Sequence, residues 1–276
     1  MKPLTKTENK IIEYIRNYDT PTISNSLELL DSSLRSKGHT QKTMHCLNPK
    51  LKPIIGFAKT AIITSTKKKN TNIIKNRDKY YEYMFDGKFP KICVIEDKDK
   101  SNTIGAWWGE LNASIHLNFG FKGAITNGAM RDLQEIDKKF QILSGEIRVG
   151  HGYNQIHKTN CEVNIFNMKV KPNDLIHADF HGAVIIKREY LKDLPNLIKR
   201  MINKEKIIFN FLKKNKNFSK KQFVDKFSKL SKSSKIDVFR LRRYSAQPQA
   251  MTNYAVVVSY DPNILSTPCR PSPVLK

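Results

Sequence analysis

Between Leu4 and Arg200 short apolar runs alternate with stretches of helical period, the pattern of a mixed α/β domain. Strands are predicted at Ile54–Thr64, Lys91–Asp97, Gly123–Gly128, Cys161–Lys171 and Gly182–Lys187. Helices are predicted at Ile11–Tyr18, Thr22–Leu34, Asn76–Phe85, Glu110–Phe119 and Glu189–Lys206. Pro172, Asn173 and Asp174 read as a turn, because proline fixes its own angle and Asn and Asp tolerate turn geometry. Farther on, Ile207, Phe211 and Leu212, then Phe223, Phe227 and Leu230, fall near helical spacing and predict two amphipathic helices.

One stretch asks for more than packing: "GELNASIHLNFGFKGAITNGAMRD", Gly109 to Asp132. In its helix Leu111, Ile115 and Phe119 stand at i, i+4 and i+8, an apolar stripe expected to face a sheet. Before it come the Lys91–Asp97 strand and a loop through Asn102–Trp108; after it comes a short strand at Ala124–Asn127. A strand–helix–strand unit starts its helix at the edge where the first strand ended. The helix runs down about 15 Å at 1.5 Å per residue. A five-residue strand climbs back a similar distance at about 3.3 Å per residue. Arg131 and Asp132 are therefore expected beside the helix N-terminus.

That meeting would supply chemistry. First-turn amides of Gly109, Glu110, Leu111 and Asn112 have no intrahelical partner, and the helix dipole favours a carboxylate there. Arg131 offers a bidentate fork for a carboxylate or keto oxygen. Asp132 offers one hard anionic oxygen donor, which with open positions suits Mg²⁺ or Mn²⁺. Together they would bind a 2-oxo acid and stabilise the enolate formed when a C–C bond breaks. The plain alternative is a capped helix beside a surface Arg–Asp pair.

Composition narrows the class. The 276 residues are 39% hydrophobic and 9% aromatic, as in a soluble globular protein with a well-buried core. No apolar run approaches the roughly 20 residues of a membrane span, and the first twenty residues lack the apolar core of a secretory signal. A cytoplasmic protein is expected. Cys46, Cys93, Cys161 and Cys269 are far apart, which argues against a zinc ribbon or a disulfide framework. The net charge of +24 invites a nucleic-acid reading, but 38 of the 49 basic residues are lysine and arginine forks are scarce. Lys, Asn and Ile all have A/T-rich codons, so a solvated lysine surface is the simpler reading. From Lys187 to Arg243 the chain carries 19 basic against 5 acidic residues, a net of 19 − 5 = +14, either a solvated face or a membrane-surface or RNA contact. No lysine occurs from Ile236 through Leu275, although 37 of the first 235 residues are lysine, and five of the twelve prolines follow Ser245. Residues 245–276 are expected to be an atypical tail, recently acquired, read through or frame-shifted, largely disordered and without chemistry.

"WWGELNASIHLNFGFKGAITNGAMRDLQEI" resembles the signature of the regulator-of-ribonuclease-activity-A-like family, which includes 4-hydroxy-4-methyl-2-oxoglutarate aldolases. "PTISNSLELL" resembles the family's N-terminal helix entry, with Asn25 where many members have Asp. "IIGFAKTAII" resembles its first core strand, and "VKPNDLIHADFHGAVIIK" its closing segment, so the likeness runs from about Pro21 to Arg200. The resemblance implies an α/β fold of the layered β/β/α, swivelling-domain type, in a single core domain expected over 1–206; the basic helical extension expected over 207–244 falls outside it. It implies a homotrimer or hexamer with sites near subunit interfaces. It also implies a divalent-metal-dependent class II aldolase or oxaloacetate-type decarboxylase releasing pyruvate from a small 2-oxo dicarboxylate. In the aldolases the Gly-x-x-x turn binds substrate through its amides, Arg binds substrate and Asp binds the metal. Those roles map onto Gly109, Glu110, Leu111, Asn112, Arg131 and Asp132. The base is not identified; in the family a water is usually proposed. The ribonuclease-regulator branch typically lacks the Asp, so Asp132 favours the enzyme over a non-catalytic regulator of ribonuclease E-type activity.

Other polar residues carry less. His177 and His181 have H-x-x-x-H spacing, which binds metal on a helix but loses that meaning in a strand–turn context. Asp179 is expected to hold that turn by accepting backbone amides, His151 and His157 to be loop or interface residues, and Trp107 and Trp108 to pack or line a pocket. No Ser-His-Asp set, P-loop or strand-linked G-x-G-x-x-G is present.

Overall fold

The computed structural model describes residues 3–66, 73–99 and 102–229. The expected tail over 245–276 lies outside the described residues. The chain divides into two units, Met1–Phe227 and Ser228–Lys276, and the sheet with its covering helices belongs to the first.

Two helices open that unit. Thr5 and Glu8 cap α1 (Lys6–Ile15) reciprocally, and Asp19 with Pro21 starts α2 (Thr20–Glu28). The helix expected over Thr22–Leu34 stops at Glu28, because the Asp31 carboxylate takes the Ser33 amide and hydroxyl and sets a separate 3-10 turn at Ser32–Arg35.

The strands in chain order are β1 (His45–Cys46), β2 (Ile54–Thr64), β3 (Lys91–Asp97), β4 (Ala106–Trp108), β5 (Phe121–Met130), β6 (Gln141–Ile147), β7 (Gln155–Thr159), β8 (Val163–Ile165), β9 (Met168–Val170), β10 (Leu175–Asp179) and β11 (Gly182–Ile186). Between them lie α3 (Ile73–Phe85) and α4 (Glu110–Asn118), and α5 (Leu194–Lys214) follows. A nine-stranded sheet runs β1-β6-β5-β3-β2-β10-β11, with β4 on β5 and β7 on β2. Its centre, β6-β5-β3-β2, is parallel, while β1, β7, β10 and β11 pair antiparallel.

Both faces of the central strands are covered, so their side chains sort by parity. Cys93 and Ile95 join Tyr80, Met84, Trp108 and Phe140 on the side of α3 and α4. Ile92 and Val94 join Val163, Ile165, Met168 and Val170 of the β8–β9 hairpin on the other. The result is the layered β/β/α arrangement. A third cluster seats α1, α2 and the start of α5 against β10 and β11.

Several expectations change. The strand expected over Cys161–Lys171 is the β8–β9 hairpin, turned by Phe166 and Asn167, both at positive φ (51° and 67°) as a two-residue hairpin turn requires. The turn at Asn173 does form, with φ 68°. The loop expected through Asn102–Trp108 ends in strand β4. The stripe assigned to α4 is rotated: Leu111 is 76% exposed, and the buried positions are Ala113 and His116.

Candidate functional site

The parallel strands β2, β3, β5 and β6 all end on one edge of the sheet, where α/β proteins hold their ligands. The short β4 also ends there, with Trp108 in register with Met130 of β5. One residue on, the Arg131 amide donates to the Trp108 carbonyl at 2.8 Å. Gly109 and Arg131 are thus neighbours by strand pairing, and α4 starts directly from Gly109. The two ends of the Gly109–Asp132 stretch meet.

Gly109 caps α4 without a side chain, and a Cβ there would stand 2.5 Å from Oδ2 of Asp132 and 3.2 Å from Nε of Arg131. The backbone at Gly109 is extended (φ −148°, ψ −175°), so glycine serves close approach and not an unusual angle. The Glu110 amide donates to Oδ2 of Asp132 at 3.2 Å, and Nε of Arg131 lies 3.5 Å from the same oxygen. The other end of the Arg131 guanidinium donates to the Val149 carbonyl at 3.4 Å. Asp132 itself sits at φ 53°, which Asp tolerates better than most residues and which turns its carboxylate back onto the helix end. Both side chains are about one-third solvent-accessible: Arg131 36% and Asp132 38%.

The remaining predicted positions divide. Leu111 projects at the rim. Asn112 donates from Nδ2 to the Trp107 carbonyl at 2.8 Å and accepts from the Tyr81 hydroxyl at 3.3 Å, so its side chain ties α4 to β4. Sequence reasoning gave the amino end of α4 to substrate alone; the structure places the Asp132 carboxylate on one of its amides.

His116 holds the helix from below, a role the sequence did not suggest. Its Nδ1 lies 2.7 Å from the Asn112 carbonyl and its Nε2 2.7 Å from the Tyr80 hydroxyl. A carbonyl only accepts, so Nδ1 carries the proton and Nε2 accepts from Tyr80. Burial pushes the imidazole pKa down to about 4, in keeping with a neutral ring.

Beneath the loop that leads to β4, the buried Asp97 accepts from the Thr103 hydroxyl at 2.7 Å and the Asp99 amide at 2.9 Å. Burial raises its pKa. Asn127 brackets the Asp97 backbone, accepting from its amide at 2.8 Å and donating to its carbonyl at 2.7 Å. Asp99 collects the amides of Ser65 and Thr66, joining the end of β2 to the same loop. These carboxylates are occupied in building the edge.

His177 is buried in β10 beside Oγ1 of Thr20 at 3.0 Å and the Ile15 carbonyl at 3.3 Å, and burial brings its pKa to about 4. His181 lies on the following turn, held by Asp179, which accepts the His181 amide at 2.8 Å and the Thr20 amide at 2.8 Å. His151 is on an exposed loop, and Nε2 of His157 lies 2.9 Å from Oγ1 of Thr64. Trp108 is fully buried, and Trp107 packs partly buried on the same core. Among the described residues no group of three or more His, Cys, Asp or Glu side chains could hold a metal ion. A cation at Asp132 would rest on one protein carboxylate, waters and substrate oxygens.

Comparison with known proteins gives a family-model match to RraA-like: Aldolase/RraA over residues 20–185. Over 146 residues the chain is 28% identical to Protein DlpA of Legionella pneumophila, covering 52% of this chain and 23% of that protein. Over 124 residues it is 32% identical to Uncharacterized protein MJ0644 of Methanocaldococcus jannaschii, covering 43% and 58%. The chain thus spans 23% and 58% of the lengths of these curated relatives. The crystal structure of Streptomyces coelicolor RraAS2, described as an unusual member of the RNase ES inhibitor RraA protein family, superposes with a TM-score of 0.55 at 14% identity, over 74% of this chain and 96% of that one. At that identity the likeness shows the fold alone.

Proposed function

The chain belongs to the RraA-like family (Aldolase/RraA), and from its Arg131–Asp132 pair we propose that it is a divalent-metal-dependent class II aldolase or oxaloacetate-type decarboxylase. The family holds both aldolase or decarboxylase members and inhibitors of ribonuclease E. What favours the enzyme is one observation: Arg131 and the Asp132 carboxylate stand together against the amino end of α4, in a gap kept open by the missing side chain of Gly109.

The residues fit a hard cation. Oδ2 of Asp132 takes the Glu110 amide, while Oδ1 accepts no hydrogen bond among the described residues and the side chain is 38% exposed. Mg²⁺ or Mn²⁺ keeps most of its waters and needs one such carboxylate. Bound there, the cation would supply electrophilic stabilisation of the 2-oxo oxygen as negative charge develops.

The chain's own groups bind and orient the substrate. In a 4-hydroxy-4-methyl-2-oxoglutarate-like substrate the C3–C4 bond breaks. The C4 hydroxyl proton leaves to a base, its oxygen becomes the new carbonyl, the bonding pair passes to C3 as the enolate of pyruvate, and a proton delivered to C3 completes pyruvate. Loss of carbon dioxide from an oxaloacetate-like acid gives the same enolate, so one site serves both. Arg131 binds a substrate carboxylate or keto oxygen through its planar fork. The amides of Gly109, Glu110, Leu111 and Asn112 receive the carboxylate, Glu110 exchanging Asp132 for the substrate. RraA-like proteins are typically oligomeric. A homotrimer or hexamer here would cover the exposed Leu111, Leu133, Ile147 and Val149. Among the described residues no helix is long and apolar enough to cross a membrane.

The test is pyruvate release from several 2-oxo dicarboxylates, followed by coupled reduction, with Mg²⁺, with EDTA and in Asp132→Ala. Activity is expected only with the cation and the intact carboxylate; full turnover in EDTA would sink the proposal. Salt-sensitive capture of a ribonuclease-type partner, unchanged in Asp132→Ala, would favour the regulator instead.

A further inference from the structure

α5 enters the core with Leu194, Leu197 and Ile198 buried beside α1 and α2, then continues without a break to Lys214. In that second half Ile207, Phe209 and Leu212 are exposed, Phe209 by 58%. At 100° per residue Ile207, Ile208, Phe211 and Leu212 share one side of the helix, and Lys206, Asn210, Lys213 and Lys214 the other. A second helix covers 220–229. Phe218, just before it, joins the two, its ring centroid 5.3 Å from Phe211 and 5.8 Å from Phe223. Val224 on the second helix is 48% exposed. From Lys204 to Lys229 there are nine lysines, two acids and no arginine, a net of 9 − 2 = +7.

We propose that this helical pair is a peripheral anchor for an anionic bilayer, its phenylalanine-rich ridge lying at the acyl boundary and its lysines among the headgroups. An amphipathic helix that is polar on balance, with lysines on one face and Phe, Leu and Ile on the other, fits that interface. The lysine stems reach along the apolar boundary while their ammonium groups stay with the phosphates. The positive balance is complementary to anionic lipid, each lysine near the surface being worth about five-fold in partitioning. RNA fits less well. Single strands stack bases on open aromatic faces, whereas Phe218 and Phe223 are stacked on each other at an interplanar angle of 27°. Arginine forks for phosphate are missing from the segment. The segment begins beyond residue 185, where the family match ends, so a surface function can be added there without touching Arg131 or Asp132.

The full chain is floated with vesicles of phosphatidylcholine alone and with about one third phosphatidylglycerol, at low salt and at about 0.5 M salt, where surface charges are screened. Flotation is expected only with the anionic vesicles, and to fall at high salt. Leu212→Ser, on the ridge and exposed, should lower partitioning about ten-fold. Lys213→Gln with Lys214→Gln should lower it about 25-fold, independently of the apolar substitution. The proposal is overturned if the native chain stays at the bottom with anionic vesicles at low salt, or if both variants float as the native chain does. It is equally overturned if the native chain retains an RNA oligonucleotide and no vesicles, or if Leu212→Ser changes only the mass in solution, which would assign the ridge to a second copy.

Discussion

Gly109→Ala isolates the site from the fold. The backbone at Gly109 is extended, a conformation alanine adopts freely, so the new methyl acts only through what it touches. It would arrive 2.5 Å from Oδ2 of Asp132, against an ordinary contact of at least 3.4 Å, so that oxygen must retreat by about 3.4 − 2.5 = 0.9 Å. Arg131, with Nε at 3.2 Å and Cγ at 3.3 Å from the same methyl, is pressed in turn. A misplacement of about 1 Å at reacting groups costs on the order of a hundred-fold in rate, or about 2.7 kcal/mol of transition-state stabilisation. Stability should fall far less. Alanine is a poorer N-cap than glycine by about 0.5–1 kcal/mol, and for a chain of this size that moves Tm by roughly 1–4 °C. The assay is kcat/KM for pyruvate release at saturating Mg²⁺, beside a thermal melt of the same sample. A folded Gly109→Ala protein with kcat/KM within two-fold of the native value would refute the reasoning, because the gap would then have no part in the chemistry.

The other predictions test neighbouring links. Arg131→Lys keeps the charge and loses the planar fork, and should cut kcat/KM about ten- to a hundred-fold with little change in Tm; steady-state kinetics beside a melt checks both, and an unchanged kcat/KM removes Arg131 from the site. His116 and His177 are held near pKa 4 by burial, against 6.5 when free, so the unfolded chain takes up protons that the folded chain refuses. Their stabilising contribution is present above about pH 6.5 and is lost as pH falls toward 4, on the order of 3 kcal/mol for each ring. Urea midpoints from pH 7 to pH 4.5 should show the decline, and His116→Gln should flatten it; an equally steep curve in the variant would contradict a neutral His116.

The fold was legible where one physical signal dominated. β2 keeps apolar runs on either side of Lys59 and Thr60, and β3 keeps Ile92–Ile95, because both faces of those strands are covered, and their observed bounds are the expected Ile54–Thr64 and Lys91–Asp97. β6 was missed, and β10 was placed only as a strand–turn context without bounds, because buried polar residues cut their apolar runs to two residues. Gln141 in β6 is satisfied by Asn48, whose amide it accepts at 3.0 Å and whose carbonyl it meets at 2.7 Å. His177 and Asp179 in β10 are satisfied by Thr20, some 157–159 residues away. No local window contains such partners. The α4 stripe failed for the same reason: a hydropathy pattern counts His116 as polar and turns the helix toward Leu111, whereas Tyr80 and the Asn112 carbonyl satisfy the ring and let it serve as core.

The site was legible from its ends and illegible in its hinge. A strand–helix–strand unit is enough to bring Gly109 and Asp132 to one edge, but the contact itself depends on β4, three residues whose pairing with β5 sets Trp108 opposite Met130. Three residues are too few for periodicity, so the sequence places the residues that matter without the element that aligns them. That element also explains how one carboxylate can serve two states. The Arg131 amide is fixed on the Trp108 carbonyl, so the chain turns at the next residue, and the positive φ of Asp132 sends its side chain back over Gly109 onto the Glu110 amide. The carboxylate that would hold a cation therefore caps α4 when no anion is there, and the helix end keeps a negative partner in either case. A substrate carboxylate and Asp132 compete for the Glu110 amide, and a cation on Asp132 would relieve that competition. Cation and 2-oxo acid should accordingly bind with positive coupling, because each makes room for the other at the same helix end.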